Sequence, residues 1–404
     1  MKDVAKIQKA WQEGQAKNIT FIVTKDCQLA CKYCYLVGKN EKERMSFDTA
    51  KAAIDYILSH ESLFHEPSVV WDFIGGEPFI EIALIDKICD YIKEQLYVKS
   101  HKWFNSYRFS FTTNGINYDS DPVQKFIEKN REHLSIGITI DGTRRKHDLN
   151  RIYKNSGKGS YDDVVKNIPL WLEQFPWAGT KVTISNLDIP YIYESVIHLY
   201  SLGIKQIYIN VVFEDVWQDG DDLLFEEQLM NLADTLIDED YYIEHTCSFF
   251  DENIGKPLDR VLENNNWCGA GQMLSIDSHG NFYPCTRFAQ YSLREKDALM
   301  IGNIHDGINT NRLRPFLTLD RCTQSPQQCI DCEVASGCAW CQGENYDAAE
   351  TPTIFQRAIP ICKMHKARVR ANNYYWNKLY RKLEKENMRE EYENNKKNSN
   401  PVIC

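Results

Sequence analysis

The feature that most restricts how this chain can fold is a regular alternation of short apolar runs and longer amphipathic stretches between residues 19 and 210. Six runs rich in β-branched and aromatic side chains have the length and composition of strands: 19–24, 69–74, 108–113, 135–140, 181–185 and 206–212. Helical spacing fills the intervals at 47–59, 80–97, 122–130, 161–173 and 191–202. Because such strands pair in parallel through right-handed crossovers, the sequence predicts an α/β fold. The units are too few for a closed eight-stranded barrel, and the pattern alone fits either a partial barrel or an open doubly wound sheet.

Residues with special chemistry follow most of these strands. They are the 27–34 cysteine cluster, Gly75-Gly76-Glu77-Pro78, Asn114-Gly115, Asp141-Gly142 and Asn186. Because ligands of α/β folds collect at the carboxyl ends of the strands, we expect these residues to converge on one site.

Fourteen cysteines are the second constraint. A chain of 404 residues with 43% hydrophobic side chains buries a core without covalent cross-links. Its start lacks the apolar segment of a signal peptide, and no run reaches the ~18 apolar residues of a membrane span, so we expect a soluble cytoplasmic protein. In that reducing compartment, clustered thiols are more often metal ligands or catalysts than disulfides. The net charge of −10 argues against general binding to nucleic acid or to an anionic membrane.

The first cysteine cluster has the spacing C-x3-C-x2-C, formed by Cys27, Cys31 and Cys34 directly after the first predicted strand. Three thiolates on one short loop can hold three irons of a cubane cluster and leave the fourth iron free for a substrate or cofactor. The alternative is a structural zinc site, but this loop lacks the fourth Cys or His that zinc requires.

These residues resemble the radical S-adenosylmethionine (SAM) superfamily. The resemblance rests on the C-x3-C-x2-C motif, on Tyr33 as the aromatic residue before its last cysteine, and on Gly-Gly-Glu-Pro after the second strand, and it covers about residues 19–212. It implies a partial (β/α)6 barrel. It also implies that Cys27, Cys31 and Cys34 bind a [4Fe–4S] cluster whose free iron chelates SAM for reductive cleavage to a 5′-deoxyadenosyl radical.

The resemblance extends to SAM contacts beyond the cysteines. It places Tyr33, Gly75, Gly76 and Glu77 beside the cofactor, with glycine allowing close approach of the backbone and oxygen acceptors suiting the SAM amine. Thr139 is expected at the ribose, and Arg151 at the SAM carboxylate as a bidentate donor.

A second array of cysteines lies between residues 268 and 362, where helical periodicity fades and Gly and Pro recur. Its order resembles the SPASM extension of peptide-modifying radical SAM enzymes, with x2 where x3 is usual between Cys338 and Cys341. Carried over by position, one complete [4Fe–4S] cluster would be held by Cys329, Cys332, Cys338 and Cys362. A second would be held by Cys268, Cys285 and Cys341, with Cys247, Cys322 or a substrate thiol as its fourth ligand. Paired zinc knuckles are the competing interpretation.

The resemblance to maturases of cysteine-rich ribosomal peptides predicts a thioether cross-link from a peptide cysteine. Carbon–carbon or carbon–oxygen cross-linking, epimerisation and oxidation of the sulfatase-maturase type are alternatives on the same scaffold, and a non-catalytic iron–sulfur or zinc protein is an alternative of another class. In sulfatase maturases an aspartate follows the cysteine that matches Cys285; this chain has Thr286 there. The expected general base is therefore missing, and no catalytic residue is assigned.

We expect three segments: the radical SAM barrel at 1–245, the SPASM domain at 246–365, and a C-terminal helix and tail at 366–404. The expected cofactors are SAM and three [4Fe–4S] clusters. The expected partners are a cysteine-containing precursor peptide and an external one-electron donor such as flavodoxin or ferredoxin. Too few residues precede the first strand for a winged-helix leader-binding domain, so a separate leader-binding protein is a further candidate partner.

Overall fold

The computed structural model describes residues 15–39, 41–261, 264–265 and 268–398, and within it the predicted alternation of strands and helices is confirmed. The elements up to residue 211 are β1 (Ala16–Thr24), α1 (Phe47–Ser59), β2 (Ser68–Gly75), α2 (Ile82–Val98), β3 (Tyr107–Thr113), α3 (Asp121–Asn130), β4 (Leu134–Ile138), α4 (Arg144–Asn150), α5 (Tyr161–Val165), α6 (Ile168–Gln174), β5 (Thr180–Ile184), α7 (Ile192–Ser201) and β6 (Gln206–Val211). Short 3₁₀ segments cover Pro78–Glu81, Arg131–His133 and Asn186–Tyr191.

Helix α1 shows why the periodic pattern predicts these helices well. Its N-cap residue Ser46 accepts a hydrogen bond from the Thr49 backbone NH at 3.0 Å. Ala50, Ala53, Ile54 and Ile57 repeat at helical spacing and are fully buried against the sheet.

The predicted helix at 161–173 is wrong as one continuous element. The structure divides it into α5 and α6, because the ring of Pro169 clashes with a preceding carbonyl in a continuous helix and because proline fits the first turn of a new one. Asn167 lies at the break, and its side chain donates to the Gly115 carbonyl at 2.8 Å.

The first six strands form a partial barrel. Strands β1 to β4 pair in parallel in chain order, and β5 pairs in parallel with β6. Between β4 and β5 the backbone ladder stops, and the buried hydroxyl of Thr180 bridges the gap. It donates to the Ile138 carbonyl at 2.8 Å and accepts from the Ile140 NH at 3.1 Å. The carboxyl ends of all six strands therefore remain on one rim.

The elements after residue 211 are α8 (Asp221–Asp238), β7 (Thr246–Cys247), β8 (Leu274–Ile276), β9 (Asn281–Tyr283), β10 (Gly302–Asn303), β11 (Gly307–Ile308), α9 (Thr310–Thr318), α10 (Arg321–Gln324), α11 (Gln327–Ile330), α12 (Gln342–Ala348) and α13 (Cys362–Asn398). Further 3₁₀ segments cover Tyr241–Ile243, Thr286–Phe288 and Gln290–Ser292.

The cysteine-rich region extends the main sheet, which the sequence pattern did not predict. Strand β8 pairs in parallel with β1, with Ile19 opposite Leu274 and Phe21 opposite Ile276. The complete sheet has the order β11-β10-β9-β8-β1-β2-β3-β4, and β7 adds to the sheet of β5 and β6. Residues on both sides of the expected boundary at 245 thus share sheets.

The long helix α13 packs along α8. Lys378 pairs with Asp234 at 2.8 Å and with Asp238 at 2.9 Å, and the Phe250 and Tyr375 rings stack at 4.3 Å between centroids. None of the described helices is both long and apolar enough to cross a bilayer.

Candidate active site and cysteine groups

The loop that carries Cys27, Cys31 and Cys34 leaves the end of β1 and is held by the chain after α4. The Ala30 NH donates to the Ile152 carbonyl at 2.8 Å, and the Lys32 NH donates to the Asn150 carbonyl at 3.1 Å. The Cys34 NH donates to the Cys31 carbonyl at 3.1 Å, which closes a tight turn between these two cysteines. The three predicted ligands therefore lie on one fixed loop at the barrel rim.

The environment of this loop suits thiolates that are bound to a positively charged group. The Cys27 Sγ accepts from the Leu29 NH at 3.3 Å, and the Asn114 amide lies at 4.0 Å. Burial, followed by the charge of Glu77, raises the pKa of Cys27 to about 11, and burial also raises the pKa of Cys31. Free thiols here stay protonated at neutral pH, whereas iron stabilises the thiolate form. The donor set therefore fits an iron–sulfur cluster.

Gly75 and Gly76 hold the cysteine loop against the end of β2. A Cβ on Gly75 would lie 2.1 Å from the Thr24 carbonyl oxygen, and one on Gly76 would lie 2.2 Å from that of Asp26. The Gly76 NH donates to the Thr24 carbonyl, and the Glu77 NH donates to the Asp26 carbonyl, each at 2.9 Å. Glycine is therefore required at both positions for packing of the protein backbone itself.

Glu77 joins the ends of β2 and β3. It is 1% exposed, and its carboxylate accepts from the Thr113 hydroxyl at 2.7 Å, from the Asn114 NH at 2.7 Å and from the Phe79 NH at 3.1 Å. Burial raises its pKa, and these donors oppose that effect. The carboxylate is thus used within the protein, and the backbone carbonyls beside it remain the acceptors that suit an ammonium group.

Tyr33 and Arg151 meet in a buried hydrogen-bond chain. The Arg151 guanidinium donates to the Tyr33 hydroxyl at 3.0 Å, and that hydroxyl donates to Asp141. The Nε atom of Arg151 is buried and has no hydrogen-bond partner within the described residues. A donor left over in this position fits a bound carboxylate. Thr139 lies directly after β4, with its NH bonded to the Thr113 carbonyl at 2.9 Å.

His147 orients Asp141 from behind. Its Nδ1 accepts from the Asp141 NH at 3.3 Å, and its Nε2 lies 3.0 Å from the Ser160 hydroxyl. Burial, reinforced by Arg151, lowers the pKa of His147 to about 3, so the ring is neutral at pH 7. It is therefore a hydrogen-bonding partner and not a proton source.

A cavity of about 320 Å³ opens beside this loop at the barrel rim. Its walls include Tyr33 and Cys34 from the cysteine loop, Asn186 after β5, and Glu214 after β6. Its walls also include Arg294 and Glu344 from the cysteine-rich region. The first cysteine loop and the cysteine-rich region thus both line this cavity.

An ion-pair network forms one side of this cavity, and the sequence analysis did not identify it. Arg287 donates to Glu214 and to Glu344, each at 3.0 Å, and its guanidinium lies 4.6 Å from the centre of the Tyr35 ring. Arg294 bonds to Glu344 at 2.5 Å and to Asp347 at 2.9 Å. Burial and the neighbouring Glu214 raise the pKa of Glu344. Glu214 comes shortly after the end of β6, just as the other site residues come after their strands. This position in the sequence is the signal that could have identified it.

Three distal cysteines, Cys268, Cys285 and Cys341, form a group behind this network. Burial, followed by the nearby Cys268 and Cys341 sulfurs, raises the pKa of Cys285, and burial followed by Cys341 raises that of Cys268 to about 11. Arg287 lies two residues after Cys285, and Glu344 lies three after Cys341. The network therefore lies close to this group, and Arg287 interacts electrostatically with Cys341.

The other four distal cysteines, Cys329, Cys332, Cys338 and Cys362, line a cavity of about 200 Å³. A zinc ion with Zn–S bonds of about 2.3 Å would draw all its sulfurs to within about 4 Å of one another. No group of three or more His, Cys, Asp or Glu side chains in the described ranges is arranged to hold a single metal ion. Four thiols around one cavity are the number of protein ligands that a complete [4Fe–4S] cluster requires.

The remaining described cysteines differ in their surroundings. Cys89 is fully buried in the apolar core of α2. Cys247 is buried near Tyr200, Tyr375 and Arg368, and burial raises its pKa to about 11. The Cys322 NH bonds to the Asn264 side chain at 2.9 Å. Cys404 lies outside the described residues.

Comparisons with known sequences agree with this geometry. Residues 21–187 match the family model of the Radical SAM superfamily. An uncharacterised protein of Methanocaldococcus jannaschii is 28% identical over 291 residues, which cover 72% of this chain and 89% of the relative. The serine-type anaerobic sulfatase-maturating enzyme of Bacteroides thetaiotaomicron is 24% identical over 346 residues, which cover 77% of this chain and 78% of that enzyme.

Solved structures share the fold at lower sequence identity. Native anSMEcpe with bound AdoMet matches with a TM-score of 0.68 and 17% identity, covering 91% of this chain and 98% of that one. Streptococcus suis SuiB bound to precursor peptide SuiA matches with a TM-score of 0.56 and 13% identity, covering 89% and 80%. Residues 21–187 of the chain therefore form a domain that matches the Radical SAM superfamily, and the chain shares its fold with solved structures of anSMEcpe and SuiB.

Proposed function

We propose that this protein is a cytoplasmic radical SAM maturase that joins a cysteine of a ribosomally made peptide to a substrate carbon through a thioether. The observation that carries the proposal is the cavity of about 320 Å³ whose walls combine Cys34 of the first cysteine loop with Arg294 and Glu344 of the cysteine-rich region. A peptide segment in this cavity would contact the radical-generating side and the auxiliary side together. SuiB has been solved with the precursor peptide SuiA, and anSMEcpe with the Kp18Cys peptide, which supports a peptide substrate.

Cys27, Cys31 and Cys34 would hold the first [4Fe–4S] cluster. The backbone of Gly75 and Gly76 would accept from the SAM amine, Arg151 would bind its carboxylate through the free Nε side, and Thr139 would face the ribose. When bound, the first cluster would donate the electron that cleaves SAM to methionine and a 5′-deoxyadenosyl radical able to take a hydrogen atom from a substrate carbon, and an auxiliary cluster would accept the electron released as the thiolate sulfur bonds to that carbon.

The auxiliary clusters would be held by the two groups of distal cysteines. Cys329, Cys332, Cys338 and Cys362 supply a complete set of four thiolates. Cys268, Cys285 and Cys341 supply three, which leaves one iron for a substrate thiolate. Cys247 is an unfavourable fourth ligand, because it is buried against Tyr200 and Tyr375 in the core.

Glu214 is the carboxylate placed to accept the substrate thiol proton. It lines the cavity, its side chain is 20% exposed, and one of its oxygens accepts from Arg287. Glu344, the other carboxylate of the described lining, is 6% exposed and has both oxygens engaged by guanidinium groups. Glu214 therefore takes the part of the aspartate that is missing at Thr286.

A second candidate is oxidation of a peptide serine or cysteine to formylglycine, because the sulfatase-maturating relative aligns over 77% of this chain. The two reactions differ in product. A thioether removes two hydrogens and blocks thiol alkylation, whereas formylglycine reacts with hydrazide probes.

The test uses enzyme reconstituted with iron and sulfide under anaerobic conditions. Three cubanes require about twelve irons per chain, and reduction in the presence of SAM should release 5′-deoxyadenosine. Replacement of Cys27, Cys31 and Cys34 by Ala should lower the iron content to about eight and abolish SAM cleavage. Zinc in place of iron, or SAM cleavage that persists in the triple variant, would reject the proposal.

The reaction type is then read from the peptide. A short cysteine-containing peptide encoded beside the gene is incubated with enzyme, SAM and reduced flavodoxin or ferredoxin, with a separately encoded leader-binding protein added in parallel. Mass spectrometry should show loss of two hydrogens per link and loss of alkylation at the linked cysteine. Retained alkylation would indicate a carbon–carbon or carbon–oxygen link instead.

A further inference from the structure

The cavity formed by Cys329, Cys332, Cys338 and Cys362 is lined by cationic groups. Arg321, Arg357 and Lys366 contribute to its wall, and its described lining contains no Asp or Glu side chain. Four thiolates with a cubane cluster carry net negative charge, and this wall is complementary to such a group.

Arg357 is the cation that touches the ligand set. It is 8% exposed, and its guanidinium donates to the Cys338 Sγ at 3.0 Å and to the Ser325 hydroxyl at 3.1 Å. No carboxylate of the described residues lies within ion-pair distance of it. Because a buried guanidinium costs several kcal/mol unless an anion compensates it, the sulfur ligands are its charge partner.

Arg321 supports the same arrangement from the other side. It is 3% exposed, and its guanidinium bonds to the Ala335 carbonyl. The Trp340 ring lies between the two groups in sequence and contacts both, with the Arg321 guanidinium 5.7 Å and the Arg357 guanidinium 5.0 Å from its centre. Trp340 therefore fixes two positive charges beside one cavity.

The three-cysteine group has a different electrostatic environment. Arg287 lies beside it and is bonded to both Glu214 and Glu344, so two carboxylates share this positive charge with the sulfurs. The two auxiliary sites are thus electrostatically unequal although their ligands are of the same type.

We propose that Arg357, with Arg321 across Trp340, raises the reduction potential of the cluster held by Cys329, Cys332, Cys338 and Cys362 above that of the three-cysteine cluster. The proposal rests on the proposed function, since it requires both auxiliary clusters. Reduction adds one electron and no atom to the cluster. A buried cation and a hydrogen bond to a ligand sulfur both stabilise the added charge. With both clusters bound, this difference in potential would favour electron flow from the Cys268, Cys285 and Cys341 site to the site of Cys329, Cys332, Cys338 and Cys362.

The experiment is a redox titration of reconstituted full-length protein followed by electron paramagnetic resonance. All measurements use the variant in which Cys27, Cys31 and Cys34 are replaced by Ala. This variant lacks the first cluster, so that only the two auxiliary clusters contribute to the spectrum. Arg357→Gln should shift one midpoint to lower potential and leave the other in place. Lys366→Gln is the matched control: it removes the same charge from the same wall, but Lys366 is exposed and screened by water, so its shift should be less than half as large.

A second variant keeps the test decisive if Arg357→Gln fails to retain the cluster. Arg321→Gln removes the second buried positive charge of the same wall, and it should also lower the same midpoint. Full iron content together with wild-type midpoints in both variants would overturn the role of the two arginines and leave the proposed function intact. Iron content that shows no auxiliary clusters in the background protein would overturn the proposed function together with this inference.

Discussion

Replacement of Gly76 by Ala tests what the glycine pair after β2 is for. Gly76 has no left-handed backbone conformation that would by itself require glycine. The constraint is space: an added Cβ would lie 2.2 Å from the Asp26 oxygen, 2.6 Å from its carbonyl carbon and 2.7 Å from the Lys25 oxygen. All three atoms are backbone, so no side chain can rotate away.

The cost follows from the contacts that must open. The cysteine loop has to retreat by about 1 Å to reach ordinary van der Waals separation, which breaks the two 2.9 Å hydrogen bonds made by the Gly76 and Glu77 NH groups. Each bond contributes about 1 kcal/mol, and forced backbone shifts in packed regions cost about 1–3 kcal/mol. We therefore expect Gly76→Ala to lower the free energy of unfolding by about 3–5 kcal/mol.

Urea unfolding of the metal-free protein, followed by circular dichroism, measures this loss without any contribution from cofactors. Gly137→Ala is the matched control, because a Cβ there would lie 3.5 Å from its nearest neighbour, and we expect a change within about 0.5 kcal/mol. If glycine served only the approach of SAM, Gly76→Ala would keep wild-type stability and lose SAM cleavage alone. Equal urea midpoints for the two variants would refute the packing argument.

Three further variants test other contacts. Glu214→Gln should still release 5′-deoxyadenosine but form about 10²-fold less cross-linked peptide per SAM cleaved, because the substrate thiol then lacks its proton acceptor. Glu239→Gln, a change at an exposed residue, should match wild type. An unchanged ratio of cross-linked peptide to cleaved SAM in Glu214→Gln would contradict the proposed role of Glu214. His147 has a folded-state pKa of about 3, so between pH 6.5 and 3 the unfolded chain binds a proton that the folded protein does not, and the free energy of unfolding should fall by up to about 1.4 kcal/mol per pH unit on acidification. His147→Gln should lose that part of the slope in urea titrations, and identical slopes would show a charged ring in the fold. Thr180→Val should cost about 2–5 kcal/mol because two buried backbone groups lose their partner, against about 1 kcal/mol for Thr180→Ser; the reverse order would contradict the bridging role.

The strands and helices of the barrel were predictable because each of them is long enough to show the period of its hydrophobic residues. Helix α1 has the bounds that its pattern predicts, 47–59, and the six strands differ from prediction by a few residues at their ends. The rim site was predictable for the same reason, since a residue after a parallel strand has only one edge to occupy. Residue spacing in the sequence thus predicted the structure wherever a helix or a strand repeats the same backbone geometry over several residues.

The structure of the cysteine-rich region was less predictable from the sequence, because its elements are held by contacts between residues that are distant in sequence. Strands β8 to β11 have two or three residues each, too few to show alternation. The sequence analysis did not single out Arg287, since nothing local shows that Glu214 and Glu344 bond to its guanidinium. Arg357, likewise, has no neighbour in sequence that indicates Cys338. Such pairs are fixed by tertiary packing, which a single sequence does not encode as a pattern.

The pairing of β1 with β8 has a consequence for how the protein is made. During synthesis β1 gains β2 early, but its other edge stays open until residues 274–276 have left the ribosome. An unpaired apolar edge is a template for aggregation, and the 19–276 closure is a contact of long sequence separation that forms slowly. The second edge of the strand that leads into Cys27 is therefore paired only after the chain up to residue 276 has emerged, and we expect the nascent chain to be prone to aggregation until then.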